Sequence, residues 1–127
     1  MYKLAYRNEL LYTDIEITHG DRTVRIDNVI VDTGCCHTIL LTDYLEEIDV
    51  ELVDDDEIIK AIGFGCVQFS AVRKKIEQIR LGDLVVDNMK IDFGIIDPND
   101  RINGLLGLDF LLAIKVKINL DTLTIDK

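Results

Sequence analysis

The stretch Val29-Ile30-Val31-Asp32-Thr33-Gly34 places an acidic residue directly after three β-branched apolar residues. Such an apolar run is typical of a buried strand, and the glycine that follows it permits a sharp turn. Because burying a carboxylate without a partner is costly, an aspartate at the end of this strand indicates a special role. The tripeptide alone favours an aspartate that caps an ordinary turn, with Gly34 at a left-handed position.

Short β-strands are predicted on both sides of this stretch. Apolar and polar residues alternate over 11–17, which is the period of a half-buried strand, and a second strand is predicted over 23–31. Two apolar segments flank Gly63-Phe64-Gly65, a pattern typical of a β-hairpin with a glycine-rich tip. The remaining predictions are strands over 39–41, 58–62, 67–72, 76–81, 85–96, 116–120 and 122–125, and short helices over 44–48, after Thr42 or Asp43 as the cap, and 108–113.

Composition limits the classes of function. The chain has 127 residues, 48% of them hydrophobic and 30% charged, and it shows no repeat or linker, which predicts a single folded domain over 1–127. Its formal net charge of -10 disfavours a nucleic-acid partner. No apolar window approaches the ~20 residues of a membrane span. The N-terminus resembles no signal peptide, and three cysteines are an odd count, so a cytoplasmic location with reduced thiols is expected.

Three segments in order resemble the hallmarks of one family. The run VIVDTGCCHTIL resembles the active-site strand and turn of the retropepsin-like aspartic peptidases. The run KAIGFGCVQF is similar to their glycine-rich flap, and INGLLGLDFL is similar to their second hallmark, which leads into a short helix. The resemblance spans roughly residues 10–125. It implies an all-β fold, a closed six-stranded-type acid protease barrel with one or two short helices and one lobe per chain.

The resemblance also implies roles for particular residues. Asp32 would be the catalytic acid, Thr33 would hydrogen-bond across a dimer axis, and Gly34 would let the backbone pass close to the substrate. Structural support beneath Asp32 would come from Leu105, Leu106 and Gly107. Residues predicted to bind the substrate come from the turn and from the flap: Cys35, Cys36, His37, Ile62, Gly63, Phe64 and Gly65.

The chemistry of this class requires two carboxylates, and the chain supplies one. Two neighbouring acids share a proton, and the ionised acid activates a water molecule that attacks the peptide bond. The sequence holds no second Asp-Thr-Gly or Asp-Ser-Gly, because Asp121-Thr122-Leu123 lacks the glycine. A homodimer is therefore predicted, with Asp32 of each subunit at the two-fold axis, acting as an aspartic endopeptidase on peptide or protein substrates without a cofactor. The alternative is an inactive dimerisation or peptide-binding module of the same fold.

The cysteines depart from the family pattern. Cys35 stands where Ala or Ser is usual, and Cys36, His37 and Cys66 lie close to it or to the flap. A metal site is disfavoured because adjacent residues do not easily converge on one ion. Oxidation of Cys35 or Cys66 and a cysteine hydrolase that uses His37 stay open as minor alternatives. Asp109, expected to pair with Arg101 or another cation, is assigned no catalytic role.

Overall fold

A computed structural model describes residues 1–53, 56–62, 68–96 and 101–127 of the chain. No helix within these ranges has the length and apolar character needed to cross a membrane. Most of the elements are strands, and they follow one another as β1 Tyr2–Lys3, β2 Ala5–Arg7, β3 Leu10–His19, β4 Arg22–Val31, β5 Ile39–Leu41, α1 Asp43–Glu47, β6 Glu57–Ile62, β7 Gln68–Leu81, β8 Leu84–Gly94, β9 Gly104–Leu106, α2 Leu108–Ile114, β10 Lys117–Asn119 and β11 Thr124–Asp126.

Six strands pair into a closed ring in the order β3-β4-β9-β5-β8-β7, and β7 returns to β3. The closing pair is antiparallel, with Ile17 opposite Ile79. Two pairs, β4 with β9 and β5 with β8, are parallel. Strands β2 and β6 extend the ring at β3 and β7, and β1, β11 and β10 form a separate small sheet. This all-β ring with two short helices confirms the predicted fold class.

Two apolar clusters fill the molecule, and strands β3, β4, β5, β7 and β9 contribute to both. Val29 belongs to the larger cluster and Ile30 to the smaller one, because successive side chains of a strand point to opposite faces. The larger cluster consists of Leu4, Ile15, Ile17, Ile26, Val29, Leu40, Leu45, Ile48, Ile76, Ile79, Leu81, Ile91, Phe93, Leu106, Phe110, Leu111 and Ile125. The smaller cluster consists of Tyr12, Ile30, Ile39, Ala71, Ile96, Ile102 and Leu105, and Cys35 packs against it.

One strand is longer than the sequence predicted. The two strands predicted over 67–72 and 76–81 form the single strand β7, which passes through the charged triplet Arg73-Lys74-Lys75. Arg73 is paired with Asp92 of β8, and Lys74 Nζ lies 2.5 Å from Asp56 Oδ1. Because neighbouring segments supply these partners, the charges do not interrupt the strand.

Two smaller details also differ from the predictions. The short strands β1 and β2 at the N-terminus were not predicted from the sequence. Helix α1 covers Asp43–Glu47, one residue earlier than the predicted 44–48, and Thr42, one of the two predicted caps, precedes it without a side-chain capping hydrogen bond.

Candidate active site

Asp32 directly follows β4, and its backbone is fixed by β9. Val31 lies opposite Leu106 in the parallel pair of β4 and β9. The Asp32 N–H then donates to the Leu106 carbonyl oxygen over 3.0 Å, which continues the pairing beyond the end of the strand. Leu105 and Leu106 are both buried, so the segment beneath Asp32 is anchored in apolar side chains.

The turn around Asp32 presents the carboxylate at the surface. The Gly34 N–H donates to Asp32 Oδ1 over 2.9 Å, and the Cys35 N–H donates to the Asp32 carbonyl oxygen over 3.2 Å. Asp32 is half-buried, whereas Thr33 and Gly34 are exposed. A Cβ atom on Gly34 would lie 3.2 Å from Asp32 Oδ1, so glycine leaves the space beside the carboxylate open. The structure thus brings Asp32, Thr33 and Gly34 together, and their catalytic role stays a prediction.

Gly107 supports this turn through close backbone contact. The Leu108 N–H donates to the Cys35 carbonyl oxygen over 2.7 Å, and the Asp109 N–H donates to the Cys36 carbonyl oxygen over 3.3 Å. A Cβ atom on Gly107 would lie only 2.7 Å from the Cys35 carbonyl oxygen. Only glycine permits this approach, so the start of α2 rests directly against the turn.

A buried hydrogen-bond network that the sequence analysis missed joins the end of the turn to α2. Thr38 is fully buried; its Oγ1 donates to Asp109 Oδ1 over 2.7 Å, and its N–H donates to Asp109 Oδ2 over 2.9 Å. Thr38 Oγ1 also accepts from the Gly107 N–H over 3.0 Å, and the Phe110 N–H donates to Asp109 Oδ1. Asp109 was expected to pair with a cation, and these neutral donors were not foreseen. The available signal was an acidic residue in the first turn of a helix, where backbone N–H groups attract carboxylates.

A cleft of about 470 Å³ opens beside the turn. It brings the predicted substrate-binding residues Cys35, Cys36 and His37 together with residues of β5, β6, β7 and β8. Ile62 ends β6, and its side chain, together with residues 63–67 that contain Gly63, Phe64, Gly65 and Cys66, lies outside the described residues. The residues lining the cleft are Gly34, Cys35, Cys36, His37, Ile39, Ile59, Lys60, Arg73 and Asp92, of which the last five were not predicted as site residues.

A buried ion pair forms one wall of the cleft. The Asp92 side chain is 3% exposed, and Arg73 binds it with Nε to Oδ1 at 2.7 Å and Nη2 to Oδ2 at 3.2 Å. The hydrogen bond to Asp92 raises the pKa of Arg73 above its usual value. The guanidinium therefore compensates a carboxylate that would be costly to bury alone.

Cys35 is a poor nucleophile in this position. Burial is the main cause that raises the pKa of the Cys35 thiol to about 11, and its Sγ donates to the His37 carbonyl oxygen over 2.9 Å. A thiol with this pKa is protonated at neutral pH, so it lacks the thiolate that cysteine hydrolases use. Within the described residues, no group of three His, Cys, Asp or Glu side chains is arranged to hold a metal ion.

A family model described as aspartyl protease matches residues 15–110. The chain belongs to the aspartyl protease family. The matched range contains the Asp-Thr-Gly turn, the cleft and Gly107.

A solved structure shows the same fold. The crystal structure of a retropepsin-like aspartic protease from Rickettsia conorii matches with a TM-score of 0.64 and 17% sequence identity, over 94% of this chain and 83% of that chain. At this identity the likeness shows the fold alone, and the fold of this aspartyl protease family member is retropepsin-like. None of the curated proteins matches the chain.

Proposed function

We propose that the chain is one subunit of a homodimeric aspartic endopeptidase. The observation that carries the proposal is the Asp32 carboxylate, half-buried at the surface end of β4 and hydrogen-bonded by the Gly34 N–H. Membership of the aspartyl protease family supports the chemistry. The sequence offers no second Asp-Thr-Gly, so the partner carboxylate comes from a second copy of the chain.

The chemistry follows from two such carboxylates placed close together. Like charges at short distance resist simultaneous ionisation, so the two carboxyl groups titrate with two separate pKa values that belong to the pair and not to either residue. Between these two pKa values the pair holds one proton. The ionised carboxylate accepts a proton from water as the water oxygen attacks the scissile carbonyl carbon. The protonated carboxylate donates a hydrogen bond to the carbonyl oxygen as the tetrahedral intermediate forms.

The turn is suited to a two-fold axis. Thr33 and Gly34 are exposed in the single chain, so both are available to a second copy. Fixation from below by Leu106 and Gly107 leaves the upper face of the turn as the side for contact. Thr33 is proposed to donate a hydrogen bond across the two-fold axis to the second subunit. The fixed backbone beneath the turn keeps the two Asp32 carboxylates in position, and catalysis depends on that geometry.

Substrate is proposed to bind in an extended form across the two clefts. The described side chains of Cys36 and His37 and the apolar surface of Ile59 line the half-site of one subunit. Closure by Ile62 and the flap tip Gly63, Phe64 and Gly65 is proposed from the sequence alone. A single domain over 1–127, a cytoplasmic location, and the absence of a cofactor and of a nucleic-acid partner likewise stay predictions from the sequence.

The test compares wild type with Asp32→Asn on a peptide library. The substitution preserves shape and removes the shared charge, so peptide cleavage should fall by at least about 10²- to 10⁴-fold. Sedimentation should show that both proteins are dimers. Asp83→Asn is the matched control, because Asp83 is exposed in the turn between β7 and β8, away from the cleft. The Asp83→Asn protein should be as active as wild type.

Three outcomes contradict the proposal. Cleavage that survives in Asp32→Asn assigns the activity to other residues. A wild type that stays monomeric at assay concentrations removes the second carboxylate. A wild-type dimer that cleaves no peptide favours the inactive module instead. Inhibition by a pepstatin-type compound is the expected inhibitor pattern, since water rather than a thiol is the nucleophile of this mechanism.

A further inference from the structure

The cleft beside Asp32 carries basic side chains on a strongly acidic protein. The chain has a formal net charge of -10, yet Lys60 and Arg73 both line this cleft. The single acid among the described lining residues is Asp92, which is 3% exposed and held by Arg73. Asp92 is therefore neutralised inside the wall, and the exposed Lys60 adds a positive charge to the lining of the cleft.

We propose that this cleft is a subsite for an acidic substrate side chain and that Lys60 is its specificity-determining residue. The proposal rests on the proposed peptidase function, since it names the class of peptide that the same site prefers.

Lys60 is the uncommitted cation of the cleft. It is exposed on β6, opposite Ser70 of β7, and it makes no hydrogen bond or ion pair with any other described residue. A lysine ammonium carries three donors on a flexible stem, so Lys60 can follow a carboxylate into the cleft.

Arg73 offers a second point of contact. Its Nε and Nη2 are occupied by Asp92, but Nη1 faces the other way and lies 3.4 Å from Glu57 Oε2. The Glu57 side chain is 51% exposed, so this contact is weak and open to exchange. It shows that a carboxylate is accommodated at the outer nitrogen of Arg73 while the inner pair stays intact.

The apolar residues of the cleft fit the stem of a glutamate or aspartate. Ile39 is buried and Ile59 half-buried in the cleft wall, where they offer apolar surface to the methylene groups of a bound side chain. A fully apolar side chain would also fill the space, but it would desolvate the Lys60 ammonium without giving it an acceptor. A basic side chain would face the Lys60 ammonium, which is repulsive.

Symmetry doubles the preference. In a homodimer with Asp32 at the two-fold axis, the second subunit presents an identical cleft on the other side of the scissile bond. Acidic residues are therefore preferred at two positions, one on each side of the cleaved bond. Free energies at two independent subsites add, so the fold-preferences multiply.

The net charge of the protein complicates a simple comparison of peptides. A protein of charge -10 repels any acidic peptide over long range, and this repulsion masks a local attraction. Positional isomers remove the problem, because moving one Glu along an otherwise identical uncharged peptide leaves the net charge of the peptide constant.

The experiment measures binding of such isomers to the full-length Asp32→Asn dimer by fluorescence anisotropy, so that no peptide is cleaved. Ten-residue peptides with Glu at each position in turn are expected to show two favoured positions, each about three- to fivefold tighter than the rest. A peptide with Glu at both positions is expected to gain about tenfold or more. Adding Lys60→Gln should abolish the preference. Adding Lys75→Gln, the same change at an exposed lysine of β7 outside the cleft, should preserve it.

Three results overturn the inference: equal affinities for all isomers, a preference that survives Lys60→Gln, or no binding of any peptide. Wild-type cleavage of the same isomers separates this inference from the proposed function. Cleavage by wild type without positional preference for Glu would contradict the acidic subsite and agree with the proposed peptidase function. Binding that depends on the position of Glu and on Lys60, without any wild-type cleavage, would contradict the peptidase function and agree with a binding site for acidic peptides.

Discussion

Two aspartates, Asp109 and Asp14, each tie a segment to the rest of the molecule, but through donors of different kinds. Asp109 accepts from the N–H and the Oγ1 of Thr38 and from the Phe110 N–H, and Thr38 is fully buried. Asp14 accepts from the hydroxyl of Tyr2 over 2.5 Å and from Nε of Arg25 over 2.8 Å. The Arg25 side chain is 63% exposed, so the second network lies largely at the surface.

The difference between the two networks lies in what replaces a lost bond. At Asp14, water can reach the carboxylate and its partners, so the loss of one donor is largely compensated. At Asp109, Thr38 is closed off from water, and a lost hydroxyl leaves buried groups unsatisfied at the base of the turn that carries Asp32. We expect substitutions at the base of the turn to affect both stability and activity, and substitutions around Asp14 to affect stability alone.

The largest effect is expected for Gly107→Ala. The added Cβ would lie 2.7 Å from the Cys35 carbonyl oxygen and 2.9 Å from the His37 carbonyl carbon, and both are backbone atoms. The turn must shift, so we expect a loss of about 3 kcal/mol in the free energy of unfolding, at the upper end of the usual cost of overpacking. Because a small displacement of catalytic groups is costly, kcat/KM should fall by about 10²-fold in the protein that remains folded. Urea unfolding and peptide assays measure the two effects.

Gly20→Ala is the control for this substitution. Gly20 has a φ of 62°, but a Cβ atom there would meet nothing within 4 Å. Its cost is therefore conformational only, about 1 kcal/mol, with activity unchanged. Equal effects of the two substitutions would show that close contact at Gly107 does not hold the turn.

The second largest effect is expected for Thr38→Val, which keeps the side-chain shape and removes the hydroxyl. Asp109 then loses one donor, and the Gly107 N–H loses its acceptor, in a place that water does not reach. We expect a loss of about 2 to 3 kcal/mol in the free energy of unfolding and a lower kcat/KM. Urea unfolding and peptide assays again provide the measurements.

Thr13→Val and Thr38→Ser are the controls for Thr38→Val. Thr13 is also buried, but its hydroxyl donates only over 3.3 Å to the neighbouring Asp14 carbonyl oxygen, so its loss should cost much less. Thr38→Ser retains the hydroxyl and should retain most activity. A Thr38→Val protein as stable and active as the Thr13→Val protein would contradict the importance given to the buried network.

Local patterns in the sequence predicted the parts of the fold and site that depend on neighbouring residues. Alternation over residues 11–17 predicted β3 because one face of that strand is buried. Gly34 marked the turn, where a Cβ atom would lie 3.2 Å from Asp32 Oδ1. The Thr38–Asp109 bond joins residues 71 positions apart, and no local pattern reports such a pair. The continuity of β7 was missed for the same reason, since the partner of Arg73 lies on another strand.

A moderate effect is expected for Asp14→Asn, and it should depend on pH. Burial alone would raise the pKa of Asp14, but the hydrogen bonds from Tyr2 and Arg25 outweigh it and hold the pKa below its usual value. A carboxylate with a lowered pKa in the folded state stabilises the fold above its unfolded pKa of about 4, and this contribution is lost as the pH falls through the folded pKa. We expect Asp14→Asn to lose about 1 kcal/mol at pH 7 and progressively less below about pH 4.

Urea unfolding of wild type and Asp14→Asn at a series of pH values measures that difference. Asp83→Asn, at an exposed aspartate, is the control and should follow wild type throughout. A difference between wild type and Asp14→Asn that stays constant down to pH 3 would show that the charge of Asp14 is not the cause. Peptidase activity at neutral pH should be unchanged, in contrast to Thr38→Val.

The smallest effect is expected for Tyr2→Phe, which removes one of the two donors to Asp14 and leaves Arg25 in place. Burial first, and then the hydrogen bond to Asp14, raise the pKa of Tyr2 to about 12. Because this value exceeds the unfolded value of about 10, the contribution of the hydroxyl is complete below pH 10 and is lost as the pH rises towards 12. We expect a loss of about 0.5 kcal/mol at pH 7, and a smaller decline in stability between pH 10 and 12 than in wild type.

Tyr6→Phe removes the hydroxyl of an exposed tyrosine and is the control for Tyr2→Phe. If the stability of Tyr2→Phe fell at alkaline pH as steeply as that of wild type, the Tyr2 hydroxyl would not stabilise β1, and Tyr2 would hold this strand by packing alone. The contrast with Asp109 would then lie in burial rather than in charge.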